Sequence, residues 1–272
     1  MKKLIFPILG TSVLAQLTFG QTISQDFELP GGDSGNWGSS WNASPDYSLT
    51  EDTFLDSSLG GTYAGGGASN EGQQAYRDYS NNTGGLDIAE SYSISLYAQV
   101  IFDTTEVNEW VSGRFHIYNG NFGDDNFGNI RVSSDITDPD DGTGLLWQAY
   151  DASASGNWVD MDIDMETGDI FYVQFDINPE AGTYGEYDVL VNKVNSDGSL
   201  IESSSLTGLQ IGQNVVSNGN YGELGFHVEE SSGTASFKVD NINITNVPEP
   251  QAFALLSGIL VLALSTMRRP SR

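Results

Sequence analysis

The chain has 272 residues, with 10 Lys+Arg against 37 Asp+Glu, a net charge of −27, two His and no Cys. The lack of cysteine excludes disulfide frameworks, thiolate zinc sites, iron–sulfur clusters and Cys nucleophiles, and two histidines are too few for a three-His metal site. The negative charge argues against nucleic acid or an anionic membrane surface as a partner, since both demand a basic footprint.

At the N-terminus, Met1-Lys2-Lys3 leads into an uncharged stretch from Leu4 to Ala15. A basic start followed by a short apolar segment is the pattern of a secretory signal peptide; cleavage is expected after Gly20, making 1–20 the signal. Trp37 and Trp41 follow in a Gly/Ser/Asn-rich loop, which makes them the pair of rings best suited to offer an exposed flat surface to a sugar. The other aromatics, including Trp110, Trp147, Trp158, Tyr47, Tyr150 and Tyr184, read more simply as core.

From 21 to 246 helical periodicity is absent and alternation is everywhere. Tyr92, Ile94, Leu96, Ala98, Val100 and Phe102 share one parity against Ser91, Ser93, Ser95 and Gln99. Phe171, Val173, Phe175 and Ile177 oppose Tyr172, Gln174 and Asp176, and Tyr187, Val189 and Val191 oppose Asp188 and Asn192. Period-two patterning predicts strands with one buried face. Turn signals separate them at Asn119-Gly120, Asp141-Gly142, Ser155-Gly156, Asn195-Ser196-Asp197-Gly198 and Asn218-Gly219. About twelve strands are expected, a number that one all-β sandwich accommodates. His116 and His227 alternate with apolar neighbours and read as outward-facing strand residues.

Acidic clusters punctuate this pattern. Asp124-Asp125-Asn126 and the run Asp135 to Asp141, with Asp138 and Asp140, supply the oxygen ligands that Ca²⁺ prefers; as plain turns the same residues need no ion. Asp160, Asp162, Asp164, Glu166 and Asp169 do not make an EF-hand, because the required Gly and Glu positions hold Met165 and Phe171. The simplest reading there is a strand that buries Met161, Ile163 and Met165 and leaves its acids in water. Near the end of the domain, Phe237 and Val239 set one inward parity and Ile242 and Ile244 the other, so a bulge is predicted at Asp240-Asn241. A Gly-x-Ser-x-Gly nucleophile elbow is missing.

The C-terminus reads Val247-Pro248-Glu249-Pro250, then an uncharged run from Gln251 to Met267, then Arg268-Arg269-Pro270-Ser271-Arg272. As a helix the run reaches about 25 Å, slightly short of a ~30 Å hydrocarbon core. The basic tail sets it in the cytoplasm with the body outside the inner membrane. Without both ends, five basic residues face 37 acids, a charge of −32 that keeps the body soluble and attracts cations rather than polyanions.

The three-part ending from Val247 to Arg272, with its Pro248-Glu249-Pro250 motif, apolar run and Arg268-Arg269 cluster, resembles the PEP-CTERM sorting signal of Gram-negative bacteria. The resemblance implies recognition by an exosortase, transient anchoring in the inner membrane, and release to the envelope, outer surface or exterior. A plain C-terminal membrane anchor is the alternative. The body resembles concanavalin A-like or carbohydrate-binding β-sandwich modules, on Asp26-Phe27-Glu28, Trp37 and Trp41, the two-strand segment Asp169 to Lys193, and Phe237 to Ile242. That implies an all-β antiparallel sandwich over 21–246, flanked by the signal peptide and by a 247–272 sorting segment with a transmembrane helix. In such modules an acid of the first strand and an Asp of the last share a structural Ca²⁺, and Glu28 and Asp240 match those positions. Laminarinase-type hydrolases share this fold, but Asp162, Asp164 and Glu166 lack the first of their two Glu, and a retaining glycosidase needs a paired carboxylate. Three functional classes follow: a non-catalytic module binding polysaccharide, a structural surface or matrix protein, and, third, a glycan hydrolase.

Overall fold

The computed structural model describes residues 22–25, 42–43, 47–50, 54–59, 64–69, 73–79, 85–102, 111–118, 128–134, 145–153, 157–211, 223–230 and 235–247. Fifteen strands lie among them: β1 (Thr22–Gln25), β2 (Asn42–Ala43), β3 (Tyr47–Thr50), β4 (Ala64–Ser69), β5 (Gln73–Asp78), β6 (Tyr92–Phe102), β7 (Val111–Tyr118), β8 (Gly128–Ser134), β9 (Leu145–Asp151), β10 (Asn157–Asp164), β11 (Ile170–Asn178), β12 (Glu186–Val194), β13 (Leu200–Gln210), β14 (Glu223–Glu230) and β15 (Ala235–Asn246). This exceeds the dozen expected, and β1, β2 and β3 are too short for their alternation to be read. Among the described residues the one helical piece is a 3₁₀ turn at Ser57–Leu59, and no helix is long and apolar enough to cross a membrane. The segment 251–267, expected as a helix, lies outside the described residues.

The strands form two antiparallel sheets. The larger runs β13-β12-β11-β6-β15-β4-β3, with β1 also against β15, and the smaller runs β10-β9-β8-β7-β14-β5-β2. Alternation decides which face each strand buries. In the larger sheet Tyr92, Ile94, Leu96 and Ala98 of β6, Phe171, Val173, Phe175 and Ile177 of β11, and Tyr187, Val189 and Val191 of β12 all point into one core. Trp147 and Ala149 of β9, Met161 and Ile163 of β10, and Leu224 and Phe226 of β14 meet them from the smaller sheet. The Trp147 and Phe171 rings interlock across the gap, edge to face, with centroids 5.2 Å apart. Two layers joined by one apolar core define an antiparallel β-sandwich, the fold class expected from the sequence.

Turn chemistry closes the long hairpin of β12 and β13. The Gly198 N–H donates to Asn195 O and the Asn195 N–H to Ser199 O, each at 2.9 Å, while Asp197 Oδ1 accepts the Ser199 N–H. Gly198 has φ +80°, and a Cβ there would stand 3.2 Å from Leu59 Cδ1, so glycine satisfies both the turn and the close approach.

The predicted interruption of the last strand is present. Asp240 pairs with Tyr97 but Asn243 pairs with Ser95, so the register shifts between them, and Asn241 takes φ +50°. Val239, Ile242 and Ile244 are all fully buried despite their opposite parities. The bulge therefore lets two apolar runs of different phase reach one core.

Candidate functional site

The core leaves each sheet one outward face, and the two faces differ. On the larger sheet, Tyr97 and Tyr172 stack edge to face at 5.3 Å, and the Tyr172 hydroxyl donates to Gln174 Oε1 at 3.0 Å. Gln174 Nε2 in turn donates to both oxygens of Asp176, at 2.9 and 3.0 Å, and the Ser93 hydroxyl donates to the same carboxylate. An open groove of about 410 Å³ follows, lined by Ser93, Asp176, Asn178, Glu186 and Asp188. Its acids are engaged: Asp188 Oδ1 accepts the Gly208 N–H and Glu186 Oε1 accepts from Gln210 Nε2, each at 2.8 Å. Residues 54–59 lie over the other end, where Phe54 and Leu55 form a small second cluster with Leu59, Tyr97 and Ile170. Asn241 Nδ2 holds this cover by donating to Leu59 O at 2.6 Å, and the Asp56 N–H donates to Ser196 O at 2.9 Å. Burial, with the neighbouring Tyr172, pushes the Tyr97 phenol up from its ordinary pKa. This face is tied to itself.

On the smaller sheet, β9 sends Trp147 and Ala149 into the core, so Gln148 and Tyr150 take the opposite face. β10 repeats the pattern, burying Met161 and Ile163 and leaving Trp158, Asp160 and Asp162 outward. The register sets Gln148 opposite Asp160 and Tyr150 opposite Trp158. Gln148 Nε2 donates to Asp160 Oδ1 at 2.7 Å, and the Tyr150 and Trp158 rings meet edge to face at 5.3 Å and 63°. Gln148 is only 7% exposed although it faces away from the core. Gln148 is thus covered on that side, while Asp160 is exposed. A half-buried aromatic pair beside an amide–carboxylate pair provides an apolar surface and directional polar groups within one patch.

The same register continues across the sheet. Gln148 lies opposite Arg131, Arg131 opposite Arg114, Arg114 opposite His227, and His227 opposite Gln74. A parallel line one pair away runs Asn42, Tyr76, Gly225, His116, Asn129. These are positions of backbone register, set by the strand order of the smaller sheet. The sequence reading missed this assembly.

The other expected residues are placed as follows. Val247 lies just beyond β15, 41% exposed, its N–H donating to Ser91 O at 2.9 Å. Pro248, Glu249, Pro250, Arg268 and Arg269 lie outside the described residues, as do Trp37, Trp41, Glu28, Asp124, Asp125, Asp138 and Asp140. Asp240 is fully buried at the bulge, and its Oδ1 accepts the Asn241 N–H at 2.7 Å. Among the described residues no three His, Asp or Glu side chains converge as a metal site. In the acidic stretch, Met161, Ile163 and Met165 are buried and Asp162 and Glu166 exposed, as the simplest reading has it. Glu166 stands beyond the end of β10, in a turn where its N–H donates to Asp169 Oδ2 at 2.6 Å, and Lys193 Nζ reaches that oxygen at 2.7 Å. The Asp169 carboxylate raises the Lys193 ammonium above its ordinary pKa, against the opposing effect of burial.

No protein-family model matches the chain, and no curated protein matches it. Solved structures that it is similar to include one reporting that cell entry of botulinum neurotoxin type C depends on interaction with two ganglioside molecules (14% identity, TM-score 0.48), covering 88% of this chain and 51% of that one. This chain thus spans about half the length of that toxin chain. Winged bean acidic lectin complexed with methyl-α-D-galactose matches at 8% identity and TM-score 0.45, over 84% of this chain and all of the lectin. A mutant alginate lyase in complex with alginate trisaccharide matches at 13% and 0.41, over 84% and 98% of the two chains. At such identities and TM-scores these likenesses assign neither a ligand nor an activity.

Proposed function

We propose that this is an exported, exosortase-sorted protein of the cell envelope or extracellular matrix whose sandwich binds glycan without chemically altering it. The observation that carries the binding reading is the patch on the smaller sheet, where Tyr150 and Trp158 adjoin Gln148 and Asp160. A sugar ring has an apolar C–H face and a rim of hydroxyls. Such a ring stacks on an aromatic surface and exchanges hydrogen bonds with an amide and a carboxylate. Trp37 and Trp41 are proposed as a second pair of rings for stacking on sugar.

A glycan array with pull-down on insoluble polysaccharides tests this, using the full chain, Trp158→Ala and the double variant Trp37→Ala/Trp41→Ala. Binding should fall in Trp158→Ala while the fold persists. A folded chain that binds no glycan turns the reading to a purely structural matrix protein. Release of reducing sugar that disappears in Asp164→Ala makes it an enzyme.

Export and sorting are supported by the charge and hydropathy pattern of 1–20 and 247–272. Mass spectrometry of the secreted form should find no peptide from 252–272, and an intact Arg272 there leaves a plain membrane anchor. A structural Ca²⁺ held by Glu28 and Asp240 or by the Asp124, Asp125, Asp138 and Asp140 loops should raise the melting midpoint more than Mg²⁺ does at equal ionic strength; equal shifts discard it.

A further inference from the structure

An open sheet ends in strands with one unpaired backbone edge, and an unguarded edge is a template for another chain. Among the described residues the sheet ends are β1, β2, β3, β10 and β13. Shortness guards the first three, which have four, two and four residues. β10 has eight, but it carries Asp160, Asp162 and Asp164 and breaks register between Met161 and Asp164. β13 has eleven residues, with Glu202 as its one charged side chain and neither Lys nor Pro. Its register breaks fall toward its two ends, so Glu202 to Leu206 run unbroken against β12. Of the sheet ends, β13 is the one left open.

Hydrogen bonds at both ends of this strand fix which of its residues turn outward. The Gln210 N–H donates to Asp151 Oδ1 at 3.1 Å and its C=O accepts the Ala152 N–H at 3.0 Å, so both groups face away from β12. The Ile211 N–H donates instead to Gly185 O, and the Asn195 N–H to Ser199 O. By alternation the odd-numbered residues between Gly185 and Asn195 hold β13. Val189, Val191 and Lys193 stand opposite Leu206, Ser204 and Glu202. Ser203 and Ser205, which lie between these, therefore turn their N–H and C=O groups to the open edge. Their side chains are exposed, and Leu200 and Ile201 at the start of the strand are 61% and 55% exposed.

We propose that this edge pairs antiparallel with β13 of a second copy of the chain, about a two-fold axis at Ser204, so that the larger sheet continues through both. The contact is separate from the glycan-binding patch, which lies on the smaller sheet. Charge selects the occupant. Each copy carries −27 and repels another over most of its surface, so two copies can meet only where charge is sparse. A basic partner is drawn to the acids of β10 instead. Identical strands on a two-fold axis also satisfy one another: Ser203 of each copy faces Ser205 of the other, and each outward N–H meets an outward C=O. In this register Glu202 falls opposite Leu206 of the second copy rather than its Glu202, and Ile201 falls opposite Thr207.

Sedimentation of the full chain over a range of concentrations should show a monomer–dimer equilibrium. Raised salt should tighten it, since salt screens the repulsion between two acidic bodies. Ser205→Pro removes an outward N–H and leaves the ladder to β12 intact, so the dimer should weaken at least about tenfold. Association through any other part of the chain is common to both proteins and does not respond to the substitution. Hydrogen exchange of the wild type reads the same contact without a variant: the Ser203 and Ser205 amides should gain protection as concentration rises. A chain that stays monomeric overturns the proposal. So does a dimer that salt weakens, that Ser205→Pro leaves unchanged while folded, or that forms without protecting these two amides.

Discussion

The two outward faces share a core and an alternation rule, yet their polar residues do opposite things. On the larger sheet Tyr172, Gln174, Asp176 and Ser93 form a chain of hydrogen bonds, and residues 54–59 lie over Tyr97 and Ile170. On the smaller sheet Gln148 pairs with Asp160 beside the Tyr150 and Trp158 rings. Polarity alone does not mark a binding face. The useful distinction lies between polar groups that satisfy one another and an amide–carboxylate pair set beside two half-buried rings. The larger sheet's face is tied to itself; the smaller sheet's face is the one we propose for glycan binding.

Substitutions separate the two. Phe171→Ala removes the ring that meets Trp147 in the shared core and should cost about 3–5 kcal/mol; denaturant unfolding measures it, and glycan binding should be lost with the fold. Asn241→Val forces a β-branched residue into φ +50° and removes the tie to Leu59 O. A loss of about 2–3 kcal/mol is expected, with glycan affinity unchanged below the melting transition; reduced affinity in the folded variant would break the division of labour. Trp158→Ala should do the reverse, weakening glycan binding about tenfold, or ~1.4 kcal/mol, with a smaller effect on stability than Asn241→Val. Tyr172→Phe deletes one hydrogen bond of the larger sheet and should cost about 1 kcal/mol of stability and nothing in binding.

The smallest effect concerns the seam between the sheets. Asp151, at the end of β9, accepts the Gln210 N–H of β13 at 3.1 Å and the Ser153 N–H at 2.9 Å. Burial pushes its carboxyl up, but the hydrogen bonds from Ser153 and Gln210 prevail and hold it below the usual value of 3.8. A depressed pKa in the folded state means stability present above the unfolded value and lost as pH falls through the folded one. Melting curves of wild type and Asp151→Asn should therefore differ at pH 6 and converge under strongly acidic conditions. A gap that persists in acid would place the Asp151 contribution elsewhere.

Much of this architecture was legible in the sequence. β6, β11 and β12 are long enough for their alternation to state which residues are buried, and Tyr92, Phe175 and Val191 are where it puts them. The bulge at Asp240-Asn241 was legible because an apolar run that changes parity in mid-strand has no other way to keep both halves in one core. The acidic stretch was legible for the same reason, through Met161, Ile163 and Met165. The aromatics were harder. Trp147 and Trp158 stand in similar short strands, yet Trp147 is wholly buried and Trp158 faces outward, since a ring fits either face of a strand and only the neighbouring parity decides.

What the sequence determined by itself is local: which residues alternate, where turns break the strands, and what the uncharged ends with their basic flanks resemble. Summed over the chain, its charge pointed to cations as partners. The tertiary structure alone decided where the few cations stand. Arg114, Arg131, Gln148 and His227 share one line of register because β14, β7, β8 and β9 are neighbours in one sheet. Strand order and register are non-local, set by how the whole apolar surface of both sheets finds a single core, and net charge carries no trace of them.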